Sequence, residues 1–200
     1  MDFETRRRNA KEEAMRKAER DRQRAVREVD VSFPVREDGC ALCGKTVHGL
    51  LAHRRTRLAA VVCHPWGPLG GSMRDMTVSR LLKTLGEGAG ITTLRFNFRS
   101  GLGRGHSSAA DVRAACAFLS RELREVQGIL LIGYSYGASV VASVVAEIAE
   151  VCAFVLVAPP LDYNNSLFMG RQIITPALKA CKKPKLLICG DSDQFCGQES

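Results

Sequence analysis

Residues 129–137 read Ile-Leu-Leu-Ile-Gly-Tyr-Ser-Tyr-Gly, an apolar strand that passes directly into a helix carrying Val141, Val145 and Ile148 on one face. A serine between two glycines at such a strand-to-helix turn is the arrangement of a nucleophile elbow. The sharp turn pushes the serine out of the sheet, and side chains two residues before and after it would collide, so glycine occupies both places. The stretch predicts a strand–turn–helix unit with Ser135 as its candidate nucleophile.

Apolar strands alternate with helical patterns on both sides of this unit. Residues 29–35 alternate apolar and polar positions, which predicts a half-buried strand, and Asp38-Gly39 predicts a hairpin turn after it. The other predicted strands cover residues 58–63, 94–98, 153–157 and 186–189. Strands that alternate with helices imply a mostly parallel sheet covered by helices on both faces. The predicted fold class is α/β.

The sequence predicts two helices, one on each side of the strand at residues 94–98. The first carries Val78, Leu81, Leu82 and Leu85 on one face, and the second follows the strand at residues 94–98. Ser108, three residues before Asp111, predicts a capping box at the start of the second helix.

Length and composition fit one domain preceded by a charged extension. The chain has 200 residues and 46% hydrophobic content, enough for a substantial core. Residues 1–28 are predicted to be a helical or disordered extension, and residues 29–200 an α/β domain. The net charge of +8 is scattered rather than concentrated on one face, which argues against nucleic-acid binding.

The sequence predicts a soluble, cytoplasmic protein that does not associate with a membrane. Its apolar runs fall short of the roughly 18 residues that span a bilayer, and its N-terminus lacks the apolar core of a secretory signal. Most of the eight cysteines lie in apolar strands and helices, where reduced cysteine acts as a small hydrophobe.

The loop at residues 64–71 reads His-Pro-Trp-Gly-Pro-Leu-Gly-Gly and follows the strand at residues 58–63. In an open parallel sheet, loops at the carboxyl ends of the strands meet at one edge, so this loop should face Ser135. Acyl transfer needs two backbone N–H groups that hold an oxyanion. Tyr136, directly after the serine, is predicted to supply one. Pro65 has no N–H, so Trp66 or Gly67 would supply the other.

Four segments occur together in an order that resembles a known family. Residues 61–66, 94–99, 133–137 and 190–193 read Val-Val-Cys-His-Pro-Trp, Leu-Arg-Phe-Asn-Phe-Arg, Gly-Tyr-Ser-Tyr-Gly and Gly-Asp-Ser-Asp. Over about residues 29–196 the chain resembles the small, lidless, dienelactone-hydrolase-like branch of the α/β-hydrolases. The resemblance implies a serine hydrolase acting on a small acyl substrate (an ester, a thioester or a related compound) without metal or organic cofactor. It assigns the acid of the triad to Asp193, with Asp162 as the reserve candidate.

The chain departs from that family at two places. After Arg99, the segment Ser-Gly-Leu-Gly-Arg-Gly at residues 100–105 makes the loop one residue longer than usual. The family order is serine, acid, then histidine, yet no histidine follows Asp193, so the sequence predicts a fold that lacks its last strand, base loop and helix. His64 and His106 are the other candidates for the base. We interpret His64 as shaping the oxyanion loop and His106 as a solvated loop residue.

Other interpretations remain open or weaker. A catalytically impaired α/β-hydrolase-fold protein that binds a ligand or partner is the alternative function, because the histidine is missing. Cys40, Cys43, His48 and His53 have zinc-knuckle spacing, but residues three apart on a hairpin strand face opposite ways, so no metal site is predicted. Gly101–Gly105 lacks the full dinucleotide pattern and is interpreted as a plain loop.

Overall fold

A computed structural model of the chain describes Glu13, Arg16 and residues 27–35, 45–99, 106–161 and 171–193. Within these residues the chain forms seven strands and four α-helices. The strands are β1 (Val29–Pro34), β2 (Thr46–Ala52), β3 (Leu58–Cys63), β4 (Thr92–Phe96), β5 (Gly128–Tyr134), β6 (Val151–Val157) and β7 (Lys185–Ile188). The helices are α1 (Met76–Lys83), α2 (His106–Glu122), α3 (Tyr136–Val144) and α4 (Arg171–Ala180).

The strands form one sheet in the order β1-β2-β4-β3-β5-β6-β7. Strand β2 is antiparallel to both β1 and β4. Strands β4, β3, β5, β6 and β7 are parallel to one another. The crossover from β3 through α1 to β4, and the return to β5 beside β3, bring the carboxyl ends of the central strands to one edge of the sheet. The fold class is α/β, as the sequence predicts.

The core lies on both faces of the central strands. Residues 59–63 of β3 are fully buried. On one face, α2 and α3 cover the larger apolar cluster, to which Val112, Leu119 and Val141 belong. On the other face, α1 contributes Val78 and Leu82 to a smaller cluster with Val62 and Ile132. Helices therefore pack on both faces, which is why β3 and β5 read as continuous apolar runs.

Several element boundaries differ from those the sequence predicts. Strand β4 covers Thr92–Phe96 and so begins and ends two residues earlier than expected. Helix α3 ends at Val144, although Val145 and Ile148 beyond it are still buried. A π-helical turn at Thr84–Gly88 follows α1 and contains Leu85. Helix α4, which contains Pro176, was not predicted.

The predicted capping box at Ser108 is wrong. Helix α2 begins at His106, two residues earlier, so Ser108 lies within the first turn. The Ser108 hydroxyl accepts a hydrogen bond from Tyr136, and the Asp111 carboxylate binds Arg99. Both side chains are fully buried. The polar pair therefore serves tertiary contacts rather than the helix terminus.

Most of the predicted extension at residues 1–28 and the predicted turn at Asp38-Gly39 lie outside the described residues. At the end of that extension the Glu28 carboxylate accepts a hydrogen bond from the Arg95 guanidinium at 2.5 Å. Among the described residues, no helix is both long and apolar enough to cross a bilayer.

Five cysteines of the described chain are free thiols. Cys63, Cys116 and Cys181 are buried, and Cys152 and Cys189 are exposed. Burial raises the pKa of the Cys63 thiol and raises that of Cys116 to about 12, so both are protonated at neutral pH. A buried, protonated thiol is a packing residue rather than a nucleophile.

Candidate active site

Ser135 lies at the junction of β5 and α3 in a strained backbone conformation. Its φ is 53° and its ψ is −118°, values that a residue with a side chain seldom adopts. The Ser135 N–H donates to the Val157 carbonyl at 2.8 Å, and the Ser135 carbonyl accepts from the Ala138 N–H at 2.9 Å. These bonds to the neighbouring strand and to the helix hold the turn. Strain that the surrounding structure maintains in this way is concentrated at functional sites.

The two glycines of the motif are required by close backbone contacts. A Cβ atom at Gly133 would lie 2.4 Å from the Gly137 carbonyl oxygen, and one at Gly137 would lie 2.5 Å from the Cys63 carbonyl oxygen. Neither neighbour is a flexible side chain, so neither can yield. The elbow is therefore packed directly against the end of β3.

The Tyr136 side chain ties the elbow to α2. Tyr136 is the first residue of α3 and is 1% exposed. Its hydroxyl donates to Ser108 Oγ at 3.0 Å, and its ring packs edge-on against Phe98 with the ring centroids 5.7 Å apart. Its backbone N–H lies at the amino-terminal end of α3, where the helix dipole favours negative charge.

His64 braces the loop that follows β3. The ring is buried, its Nε2 accepts the Phe98 N–H at 3.1 Å, and its Nδ1 lies 2.5 Å from the Pro65 carbonyl oxygen. This bonding assigns the hydrogen to Nδ1, which donates to Pro65. Burial lowers the pKa of His64, so the ring is neutral at pH 7. Both ring nitrogens are occupied by the backbone.

The remainder of this loop is fixed at its turn and at its far end. The Trp66 carbonyl accepts the Leu69 and Gly71 N–H groups at 3.2 and 3.0 Å, around a short 3-10 turn at Gly67–Leu69. Further along, the Met73 N–H donates to Asn97 Oδ1 at 2.8 Å, and the Met73 carbonyl accepts from Arg95 at 3.0 Å. Residues that follow or belong to β4 therefore hold the loop on which the predicted oxyanion donor lies.

A cavity of about 230 Å³ lies between this loop and the elbow. It brings together Ser135 and Trp66, two of the four predicted site residues. The described residues that line it are Pro65, Trp66, Leu69, Gly70, Gly71, Asp75, Tyr134, Ser135 and Pro160. Sequence reasoning missed Asp75, Tyr134 and Pro160. The position of Asp75 directly before the amphipathic helix α1 was a capping signal that would have drawn attention to it.

Asp193 lies beyond β7 and is not among the residues that line the cavity. Val157 of β6 pairs with both Tyr134 and Ile188, so β5 and β7 end at the same level, two strand spacings or about 10 Å apart. The Asp193 N–H donates to the Gly190 carbonyl at 3.3 Å. The reserve acid Asp162, the loop at residues 100–105 and the side chain of His106 lie outside the described part of the chain.

Arg99 and Asp111 form a buried ion pair that sequence reasoning also missed. Arg99 Nε donates to Asp111 Oδ1 at 2.5 Å, and the Arg99 N–H donates to Asp111 Oδ2 at 2.9 Å. Asp111 is fully buried. An acidic residue within the apolar face of α2 was the available signal, because such a residue needs a partner.

The two described histidines of the zinc-knuckle spacing are hydrogen-bonded to residues that do not belong to that pattern. His48 Nδ1 lies 2.9 Å from Ser32 Oγ, and His53 Nε2 lies 2.7 Å from Glu125 Oε1. Cys40 and Cys43 lie outside the described residues. Within the part of the chain that the structure describes, no group of three metal-ligating side chains comes together.

No protein-family model matches the chain. An uncharacterized protein of Rickettsia prowazekii is 29% identical over 143 residues, which are 68% of this chain and 57% of that protein. The match thus spans less than two thirds of the relative's length.

Solved structures share the fold. The esterase Pf2001 of Pyrococcus furiosus superposes with a TM-score of 0.72 at 20% identity, over 89% of this chain and 76% of the esterase. A putative α/β hydrolase of unknown function from Agrobacterium tumefaciens superposes with a TM-score of 0.59 at 22% identity, over 84% of this chain and 88% of that one. The chain has the α/β-hydrolase fold, as the resemblance implied.

Proposed function

We propose that this chain is a serine hydrolase domain that acts on an ester, a thioester or a related small acyl substrate, with Ser135 as nucleophile. The observation that carries the proposal is the strained backbone of Ser135 at the β5–α3 turn, beside a cavity that it lines. Holding a non-glycine residue in that conformation lowers the stability of the fold by about 1–3 kcal/mol. A turn with no functional role would have no reason to retain such strain. The solved structures named as esterases share the fold and support the same reading.

Each predicted site residue has a role in this proposal. Ser135 Oγ attacks the acyl carbon, the backbone N–H groups of Tyr136 and Trp66 hold the oxyanion, and the alcohol or thiol leaves with the proton that the serine has lost. Water then releases the acid from the acyl-enzyme. The positive end of α3 stabilises the developing charge. Asp193, in the loop after β7, is the proposed acid that orients a base.

A binding function is the second candidate, and one observation favours it. The described residues that line the cavity include no imidazole, and both nitrogens of the nearest loop histidine, His64, are bonded to the backbone. Without a base to take the serine proton, the elbow and cavity form a ligand-binding site with little turnover.

Labelling by a fluorophosphonate probe tests the nucleophile. We expect Ser135→Ala to abolish labelling, because the probe reacts with an activated serine. Ser139→Ala is the matched control, since Ser139 lies on the same helix and is fully buried, out of reach of the probe. Equal labelling of Ser135→Ala and wild type would reject Ser135. Labelling without hydrolysis of p-nitrophenyl acetate would favour the binding function.

We also propose that the protein acts in the cytoplasm and that residues 29–200 form its hydrolase domain. The five free thiols of the described chain are compatible with a reducing compartment.

A further inference from the structure

The cavity beside Ser135 has one charged side chain among the described residues that line it, that of Asp75. Asp75 caps α1, and both capping bonds, from the Thr77 and Val78 N–H groups, go to Oδ1. Oδ2 of the same carboxylate is therefore the oxygen that can accept a hydrogen bond from a ligand or attract a cation. The residue is half-buried, so its charge is only partly screened by solvent.

The neighbouring lining is aromatic and apolar. Trp66 lines the same cavity, with Pro65, Leu69 and Pro160. An indole ring is the best of the aromatic side chains at attracting a cation to its face. A carboxylate, an indole and small apolar groups around one cavity are together the chemistry that holds an ammonium group carrying methyl or methylene substituents.

The amino-terminal ends of two helices give the two sides of the cavity opposite charge. The amino-terminal ends of α1 and α3 each carry about half a positive charge. At α1 the full negative charge of the Asp75 carboxylate outweighs the partial positive charge of the helix terminus. At α3 the positive end is not offset in this way, because Ser135 makes no side-chain capping bond. The net charge of +8 is spread over the chain, and at 0.15 M salt charges farther than about 8 Å are largely screened. The local carboxylate therefore sets the sign of the field on its side of the cavity.

We infer that the cavity is an ammonium-binding subsite, and that the substrate is a small ester or thioester carrying an ammonium group close to its reacting carbonyl. The carbonyl oxygen would lie at the α3 end and the cation at Asp75. The inference rests on the proposed function for the reaction itself, but binding of the cation can be measured without turnover.

Trp66 is the single tryptophan of the chain, so its fluorescence reports directly on this cavity. The experiment titrates the full chain with choline and, separately, with 3,3-dimethylbutan-1-ol, the uncharged analogue of the same shape. We expect saturable quenching by both, with choline binding about five- to tenfold more tightly, the advantage of one weakly screened charge pair together with a cation–π contact.

Asp75→Asn removes the charge and keeps a good helix cap. We expect it to weaken choline binding to the level of the neutral analogue and leave the analogue unchanged. Glu87→Gln, which removes one carboxylate just beyond α1 and away from this cavity, should keep the preference. Ser135→Ala should keep it too, so a protein without an active serine still tests the subsite. Absence of quenching, equal binding of the two ligands by wild type, or an unchanged preference in Asp75→Asn would each overturn the inference.

Discussion

Buried contacts hold the carboxyl ends of β3, β4 and β5, whereas β7, two strands from β5, is exposed along its whole length. At the central strands a Cβ on Gly137 would collide with the end of β3, and the His64 ring bridges two backbone segments. In β7, Leu186, Leu187 and Ile188 are 54%, 38% and 44% exposed. One side of the candidate site is thus fixed by the core, and the side that bears Asp193 is not.

This difference separates two requirements of the proposed chemistry. Nucleophile and oxyanion donors must be preorganised to within a fraction of an ångström, and the packed central strands provide that rigidity. The acid acts through a base, and its loop follows a strand with little packing. The candidate nucleophile and oxyanion donors therefore lie at the packed ends of the central strands, and the proposed acid does not.

A large effect is expected at the buried ion pair that anchors the loop after β4. Asp111→Asn replaces the carboxylate that pairs with Arg99, whose side chain is 9% exposed, by a neutral amide. We expect the free energy of unfolding to fall by about 3 kcal/mol, measured by urea denaturation.

The exposed ion pair of Arg113 with Glu147 supplies the control. Its side chains are 45% and 58% exposed, so Glu147→Gln should cost less than about 1 kcal/mol. If the two substitutions cost the same, the α2 contact to Arg99 does not hold the central edge, and the contrast with β7 loses its main support.

Much of the central region could be predicted from the sequence because its determinants are local. The apolar run of β3 and the glycines around Ser135 encode a buried strand and a tight turn within a few residues of each other, and the structure has both. Helix α4 was missed because Pro176 interrupts its pattern, although the helix tolerates it. The end of α3 was misplaced because Val145 and Ile148 remain apolar and buried beyond it.

Polar residues were the harder part, since their roles depend on partners distant in sequence. Ser108 and Asp111 have the spacing of a capping box. In the folded chain, however, Ser108 is hydrogen-bonded to Tyr136 and Asp111 is paired with Arg99. Asp75, by contrast, caps its own helix α1 and also lines the cavity. Spacing alone does not tell whether a polar side chain serves its own helix or another element.

A smaller effect is expected from the titration of His64. Its pKa is lowered from 6.5, chiefly by burial, so the unfolded chain binds more protons than the folded one just below that pH. The contribution of neutral His64 is present above pH 6.5 and is lost as pH falls toward the lower pKa of the folded state. The slope from this one group is at most about 1.4 kcal/mol per pH unit.

Urea denaturation of wild type and His64→Gln between pH 8 and pH 5 would measure this slope; these two limits are about 1.5 units either side of the ordinary pKa. The variant is expected to be less stable at pH 8, with the gap narrowing as pH falls. His48→Gln, which removes an exposed imidazole from β2, controls for the loss of a ring elsewhere. A constant gap between wild type and His64→Gln would mean that the ring is not buried as a neutral brace.

The most direct test of the contrast comes from the same substitution on two parallel strands, both of which pair with β6. Ile132 of β5 is 2% exposed and Ile188 of β7 is 44% exposed. Ile132→Ala should cost about 2–5 kcal/mol, since it removes buried methyl groups and leaves a cavity. Ile188→Ala should cost less than about 1 kcal/mol, because water already reaches much of the side chain that is removed. Equal costs in urea denaturation would show that the face of β7 is covered in solution, and the Asp193 loop would then rest on a packed strand like the rest of the site.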